Sequence, residues 1–229
     1  MKIFYQIIFF LTLNLYSTFT YSDTDSNANL FGSWPDIRDV VISPDGKYVG
    51  VVQTVESQGI VKILDLDKGS LVSIHDFGKK GSISGFFWAT NERLVFSVTR
   101  PSTRTTENWG TGQLVAANID GKNTRLIAGW GTDEDRKGVR NRAKTDPNRS
   151  AYVVHTLPDD KNHIIVNFFD NAGFNDLAKL NINNGKVTYI TGSPVIYPSW
   201  VLNDKGDLMG VWTSDIKNRS EIYLYKPNL

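Results

Sequence analysis

The sequence predicts an all-β protein: a β-propeller-like array of about four four-stranded antiparallel blades. Three observations predict it. No long stretch carries apolar residues at three- and four-residue spacing; short β-branched and aromatic runs stand instead. Turn residues (Gly, Asn, Asp, Pro) separate these runs and join them in pairs. The pairs recur at a spacing that suits one blade each.

Taken in order, residues 1–22 read as a secretory signal. Lys2 precedes Ile7-Ile8-Phe9-Phe10-Leu11, and Thr20-Tyr21-Ser22 supplies small residues for cleavage. The apolar core is about ten residues, short of the ~20 that span a bilayer as a helix. Export to the periplasm or the medium is expected, with the membrane met only during export. No Cys follows the apolar run, which excludes a lipid-anchored lipoprotein. Residues 23–29 form a polar linker, and residues 30–229 a partial propeller domain.

The first blade spans 37–76. Asp39-Val40-Val41-Ile42 meets Ser43-Pro44-Asp45-Gly46, and the chain returns through Lys47 to Val52. Pro presets the turn's first dihedral and Gly tolerates positive φ, so a hairpin follows. Ile60 to Leu66, Asp67-Lys68-Gly69 and Ser70 to Ile74 make the second hairpin. The second blade, 82–128, pairs Ile83 to Trp88 with Arg93 to Val98, then Gln113 to Ile119 with Thr124 to Ala128. The third, 150–192, pairs Ala151 to Leu157 with His163 to Phe169, then Asp176 to Ile182 with Lys186 to Thr191. The fourth, 196–226, pairs Tyr197 to Leu202 with Asp207 to Thr213 and ends on Glu221 to Tyr225. First-hairpin turns thus start near 43, 89, 158 and 203. The longer middle step is an inserted loop at 129–149, where closure cost grows only slowly with length.

Composition narrows the function classes. Of 229 residues, 40% are hydrophobic and 21% charged, which is ordinary globular usage. The net charge of +1 offers no electrostatic footprint for nucleic acid. Without Cys there is no disulfide, thiol nucleophile or thiolate metal site. A domain of this size buries enough core to dispense with disulfides.

Candidates for chemistry are few. An α/β-hydrolase nucleophile elbow needs Gly-x-Ser-x-Gly, and none of the 19 Gly has a Ser two positions later. His75, His155 and His163 lack metalloprotease spacing. His155 and His163 flank one hairpin turn and would form a metal site only if they faced each other. Asp159 and Asp160 are adjacent carboxylates, but neighbouring strand residues point apart, so turn formation is their better reading. Asp133, Glu134 and Asp135 offset Arg136, Lys137, Arg140, Arg142 and Lys144, which suits a solvated loop better than an anion site. Trp109 and Trp130 sit beside Gly near loops, where they would line a binding surface or cover blade edges. Asn148-Arg149-Ser150 and Asn218-Arg219-Ser220 fit the glycosylation acceptor pattern. No catalytic, cofactor-binding or metal-binding residue is nominated, and no cofactor is implied.

The segment from Leu30-Phe31-Gly32-Ser33 through Val40-Val41-Ile42-Ser43-Pro44-Asp45-Gly46-Lys47-Tyr48 resembles the propeller opening of bacterial prolyl oligopeptidase-family serine peptidases. Trp88 before Arg93-Leu94-Val95-Phe96, Leu157-Pro158-Asp159-Asp160 before His163-Ile164-Ile165-Val166, and Leu177 to Val187 extend the match over most of residues 30–200. The resemblance implies a propeller of about seven blades that restricts peptide access to a C-terminal α/β-hydrolase domain with a Ser-Asp-His triad. This chain holds about four blade units and none of that domain's motifs, so an incomplete propeller is expected. The implied partners are a peptide substrate or a complementary peptidase fragment. Self-association through uncovered blade faces is a further expectation, with Trp200, Val211 and Trp212 as the exposed candidates. Ser-Pro-Asp-Gly also marks TolB-like and WD40-like propellers, which keeps a stand-alone exported protein- or peptide-binding module as the alternative.

Overall fold

The computed structural model describes residues 36–78, 81–101, 108–129, 149–169, 173, 175–214 and 220–224. The signal, the linker and most of the inserted loop lie outside the described residues. Those described form fifteen strands and no α-helix. Blade 1 holds β1 (Ile37–Ile42), β2 (Tyr48–Val55), β3 (Gln58–Asp65) and β4 (Ser70–His75). Blade 2 holds β5 (Ser82–Trp88), β6 (Arg93–Pro101), β7 (Asn108–Asn118) and β8 (Arg125–Ala128). Blade 3 holds β9 (Ser150–His155), β10 (His163–Phe169), β11 (Asn175–Asn181) and β12 (Val187–Gly192). Blade 4 holds β13 (Ser199–Leu202), β14 (Leu208–Ser214) and β15 (Ser220–Leu224). Each sheet is an antiparallel meander in sequence order. Among the described residues the sheet of blade 4 has three strands, the number of apolar runs the sequence offers there.

The turns form for the local reasons their residues supply. Ser43 Oγ donates to Asp45 Oδ1 at 2.7 Å and accepts the Tyr48 N–H at 3.0 Å. Gly46, at φ 73°, donates its N–H to the Ser43 carbonyl at 2.9 Å. The side chain and the left-handed residue together reverse the chain into β2. Asn181 and Asn203 act likewise, accepting backbone N–H groups of their own turns. At the third blade the strand stops two residues short of the expected Leu157. The His155 Nδ1 accepts the Leu157 N–H at 3.0 Å, and Leu157 turns to φ 50°. Its side chain is thereby buried between blades 3 and 4.

The core lies between blades, in three apolar layers. Val52, Val61 and Ile63 of blade 1 meet Phe86, Trp88, Leu94 and Phe96 of blade 2. Gly50 lies directly under the Phe86 ring, which leaves no room for a side chain there. Val95, Ala116 and Ile127 of blade 2 meet Ile164, Val166 and Leu180 of blade 3. Ile165 and Leu177 on the opposite face meet Trp200 and Leu202 of blade 4. The consecutive apolar run Ile164-Ile165-Val166 therefore serves two layers at once, as expected for a sheet covered on both faces. Phe87, in the similar run of blade 2, is half-exposed.

Among the described residues, Val40 and Ile42 of blade 1 and Ile222 and Leu224 of blade 4 are exposed on the faces turned away from the neighbouring blade. On blade 4, however, Trp200 pairs with Val211 on the face turned toward blade 3. Val211 is buried there, contrary to the sequence expectation, and Trp200 is partly buried. Trp212, one residue on, points to the opposite face and is exposed as expected.

Candidate functional site

The first-hairpin turns of blades 1, 2 and 3 gather at one end of the stack and enclose a groove of about 550 Å³. Pro44 comes from blade 1, and Trp88 and Thr90 through Arg93 come from blade 2. Thr156, Pro158 and Lys161 come from blade 3. The second-hairpin residues Asn118 and Asn183 complete the wall. Its walls are mostly uncharged amide, hydroxyl and proline surfaces. Arg93 and Lys161 against Glu92 leave a small positive excess.

Arg93 builds this wall. It opens β6 after the Thr90–Glu92 turn and is buried. Its Nε and Nη2 donate to the Ile182 carbonyl of blade 3, at 3.0 and 2.8 Å. Nη1 donates to Asn118 Oδ1 at 2.6 Å, and Nη2 also reaches the Asn123 carbonyl at 3.3 Å. Burial and the neighbouring Arg125 lower its pKa from the usual guanidinium value. The oxygens of Ile182, Asn118 and Asn123 thus hold the cation, which pins blade 2 to blade 3.

The sequence-nominated groups behave mostly as structure. The His163 ring nitrogens are engaged by Asp160 and Asn181, and His155 Nδ1 accepts the Leu157 N–H, so the two-histidine metal site does not form. His155 stands opposite Ile165, and His163 opposite Asn181. Asp160 Oδ1 accepts the Asn162 and His163 N–H groups at 2.9 and 3.2 Å, and Oδ2 lies 3.0 Å from His163 Nδ1. Burial raises the Asp160 pKa, but the Asn162 N–H and the His163 ring outweigh it, so the carboxyl sits below its ordinary value. Asp159 is exposed in the same turn. The adjacent carboxylates are thus turn formers, and Asp160 is the one that locks the turn.

His75 is buried, its ring 4.8 Å from that of Phe96. Ser73 Oγ donates to the Ile119 carbonyl, so it accepts from the His75 Nε2 at 3.2 Å. That orientation puts a proton on His75 Nε2, so the nitrogen facing Ser73 has no lone pair to take the serine proton, hence no nucleophile–base pair. Among the described residues no group of three His, Asp or Glu side chains converges on a metal position.

Other nominated residues fall elsewhere. Asp133 through Lys144, Trp130, Asn148, Asn218 and Arg219 lie outside the described residues. Trp109 takes a place in β7 opposite Arg100. Arg149, at the end of the expected loop, is no solvated charge. It pairs with Asp176, donates to the Phe168 carbonyl at 3.2 Å and lies over the Phe168 ring. Burial lowers its pKa, and the Asp176 carboxylate outweighs this to raise it. Sequence reasoning missed Arg93 and Asn118. The available signal was an arginine opening an apolar strand, where a solvent-facing residue is the usual choice.

No family model matches the sequence, and neither does any curated protein. Solved structures match by shape. Oligogalacturonate lyase from Vibrio parahaemolyticus aligns with a TM-score of 0.51 at 10% identity, over 83% of this chain and 55% of its own. An acylaminoacyl peptidase in complex with Z-Gly-Gly-Phe-chloromethyl ketone gives 0.51 at 11% identity, over 85% of this chain and 32% of its own. The fold is that of a β-propeller, built of stacked antiparallel blades. The acylaminoacyl peptidase of Pyrococcus horikoshii gives 0.50 at 13% identity, over 84% of this chain and 31% of its own. This chain therefore spans about a third of each peptidase and about half of the lyase.

Proposed function

We propose that this chain is the N-terminal propeller portion of an exported serine peptidase of the prolyl oligopeptidase type. In this reading the blades restrict and position peptides for a catalytic serine-hydrolase domain. The observation that carries the reading is the fold likeness to two acylaminoacyl peptidases, each matched over more than four-fifths of this chain and about a third of its own. The groove at the turn end supports it. Asn91, Asn118, Asn183 and Thr156 offer donors and acceptors suited to peptide backbone, and the prolines and Trp88 offer apolar walls.

The groove also favours a second reading, a stand-alone exported module that binds a peptide or protein there. One experiment separates the two. The native antigen is isolated from host extract with an antibody against residues 36–224, treated with a fluorophosphonate probe and identified by mass spectrometry. A labelled serine on a polypeptide containing or firmly bound to these blades supports the peptidase reading. Intact antigen with no labelled serine, beside an active serine hydrolase control, removes that reading and leaves the binding module. Export is tested separately by N-terminal sequencing of the mature protein. The expected start follows Ser22, and a chain still beginning at Met1 removes the signal.

A further inference from the structure

Arg93 is only 7% exposed, yet among the described residues no carboxylate meets it. Arg149, also largely buried, pairs with Asp176. A buried cation is ordinarily paired in that way, because taking a charge out of water is costly. Arg93 instead receives only neutral oxygens, and Arg125 adds a second positive charge nearby. Those oxygens take four of its five N–H groups: the one on Nε, both on Nη2 and one on Nη1. One Nη1 N–H is left over, on a side chain that lines the groove.

The surrounding wall has the same polarity. Asn118 Oδ1 is committed to Arg93, which can only donate, so the Asn118 amide is fixed and its Nδ2 donor is left over. Lys161 comes from the blade 3 turn on the other side of the groove, is exposed, and has no ion pair among the described residues. Asp160, beside it, is taken up by its own turn and by His163. Asp159 does not line the groove, and Glu92 is the single acid among the described lining residues. Two cations against one exposed carboxylate suit a singly charged anion better than a phosphate dianion. Pro44, Trp88 and Pro158 add apolar surface, so the anion fits as part of a larger, partly apolar molecule.

From this arrangement we infer that the groove binds a peptide through a carboxylate, placed among Arg93, Asn118 and Lys161. The carboxylate supplies Arg93 with the counter-charge that the fold itself does not give it. A peptide C-terminus and an Asp or Glu side chain present the same two oxygens, and either satisfies the chemistry. The inference rests on the reading of the groove as a peptide site and adds to it the charge the peptide must carry.

Three pools of N-acetylated tetrapeptides, randomised over Ala, Ser, Leu and Phe, provide the test. One pool ends in a free carboxylate, one in an amide, and one in an amide after a fixed Asp. Each is titrated into the nitrogen-15-labelled full chain, and NMR follows the Arg93 Nε–H and the Asn118 side-chain amide. An acidic pool should bind at least about tenfold more tightly than the neutral pool, because hydrogen bonds to a charged group are the stronger kind. The tighter of the two acidic pools assigns the carboxylate to the chain end or to a side chain, and either result upholds the inference. Lys161→Gln should weaken the acidic pool about two- to fivefold, and Glu92→Gln should tighten it about twofold. Both positions are exposed, and Arg93 is left in place because it also pins the blades. A neutral pool that shifts these signals with the affinity of the acidic pools overturns the inference and leaves the groove a peptide site. If no pool shifts them, the inference and the peptide reading of the groove fall together. Acidic-pool affinity unchanged by both substitutions would also overturn it.

Discussion

Replacing Arg93 with Met tests whether one guanidinium ties blade 2 to blade 3. The substitution keeps an unbranched apolar stem but removes every donor. The Ile182 carbonyl then loses the two N–H groups that satisfy it, and Asn118 Oδ1 loses its 2.6 Å partner. The Asn123 carbonyl is in an exposed turn and regains water. Two acceptors thus lose their partners, each costing about 1–3 kcal/mol. Relief of the desolvated cation returns part of this, since burial is the first cause of the lowered Arg93 pKa. The net expectation is a loss of roughly 3 kcal/mol. With a urea m-value of about 2 kcal/mol/M, the unfolding midpoint falls by about 1.5 M. Arg93→Lys keeps the charge but loses the fork, so it should fall between the wild type and Arg93→Met. Urea titrations at low protein concentration, followed by tryptophan fluorescence, provide the measurement. An Arg93→Met midpoint within about 0.3 M of wild type, or about 0.6 kcal/mol, refutes the argument.

Three further expectations follow from other parts of the blades. Asn167 is fully buried, accepts the Trp200 Nε1–H at 2.6 Å and donates to Asn175 Oδ1 at 2.7 Å. Asn167→Leu should cost about 2–4 kcal/mol and shift Trp200 fluorescence, and an unchanged urea midpoint would contradict it. Glu56 and Ser57 form the two-residue β2–β3 turn at φ 48° and 66°, a conformation that suits Asn-Gly. The double change Glu56→Asn with Ser57→Gly should add about 1 kcal/mol, read as a higher Tm; a lower Tm would argue against this turn geometry. Burial lowers the His75 pKa, opposed by the Ile119 carbonyl and Asp120. The unfolded chain therefore takes up this proton first, so stability is full above pH ~6.5 and declines as pH falls toward the folded value. His75→Gln should flatten that decline in urea midpoints between roughly pH 7 and 5, and an unaltered slope would assign it to other groups.

The sequence by itself determined the strands, their turns and their grouping into blades. Those features are local: alternation, β-branching, and Asn, Asp, Gly or Pro at fixed offsets act within a few residues. The turn at Ser43-Pro44-Asp45-Gly46 is the clearest case, since its own side chains hold it. Only the tertiary structure decided which face of each strand is covered. A register shift between Val201 and Leu202 accompanies the pairing that places Trp200 and Val211 toward blade 3 and Trp212 toward the open side. A shift of one residue exchanges the two faces, and a short β-rich run does not reveal it. The groove was equally out of reach, because Arg93 meets Ile182 across 89 residues of chain. Such a contact depends on how neighbouring blades stack, and stacking comes from summed apolar burial over whole sheets rather than from any short motif.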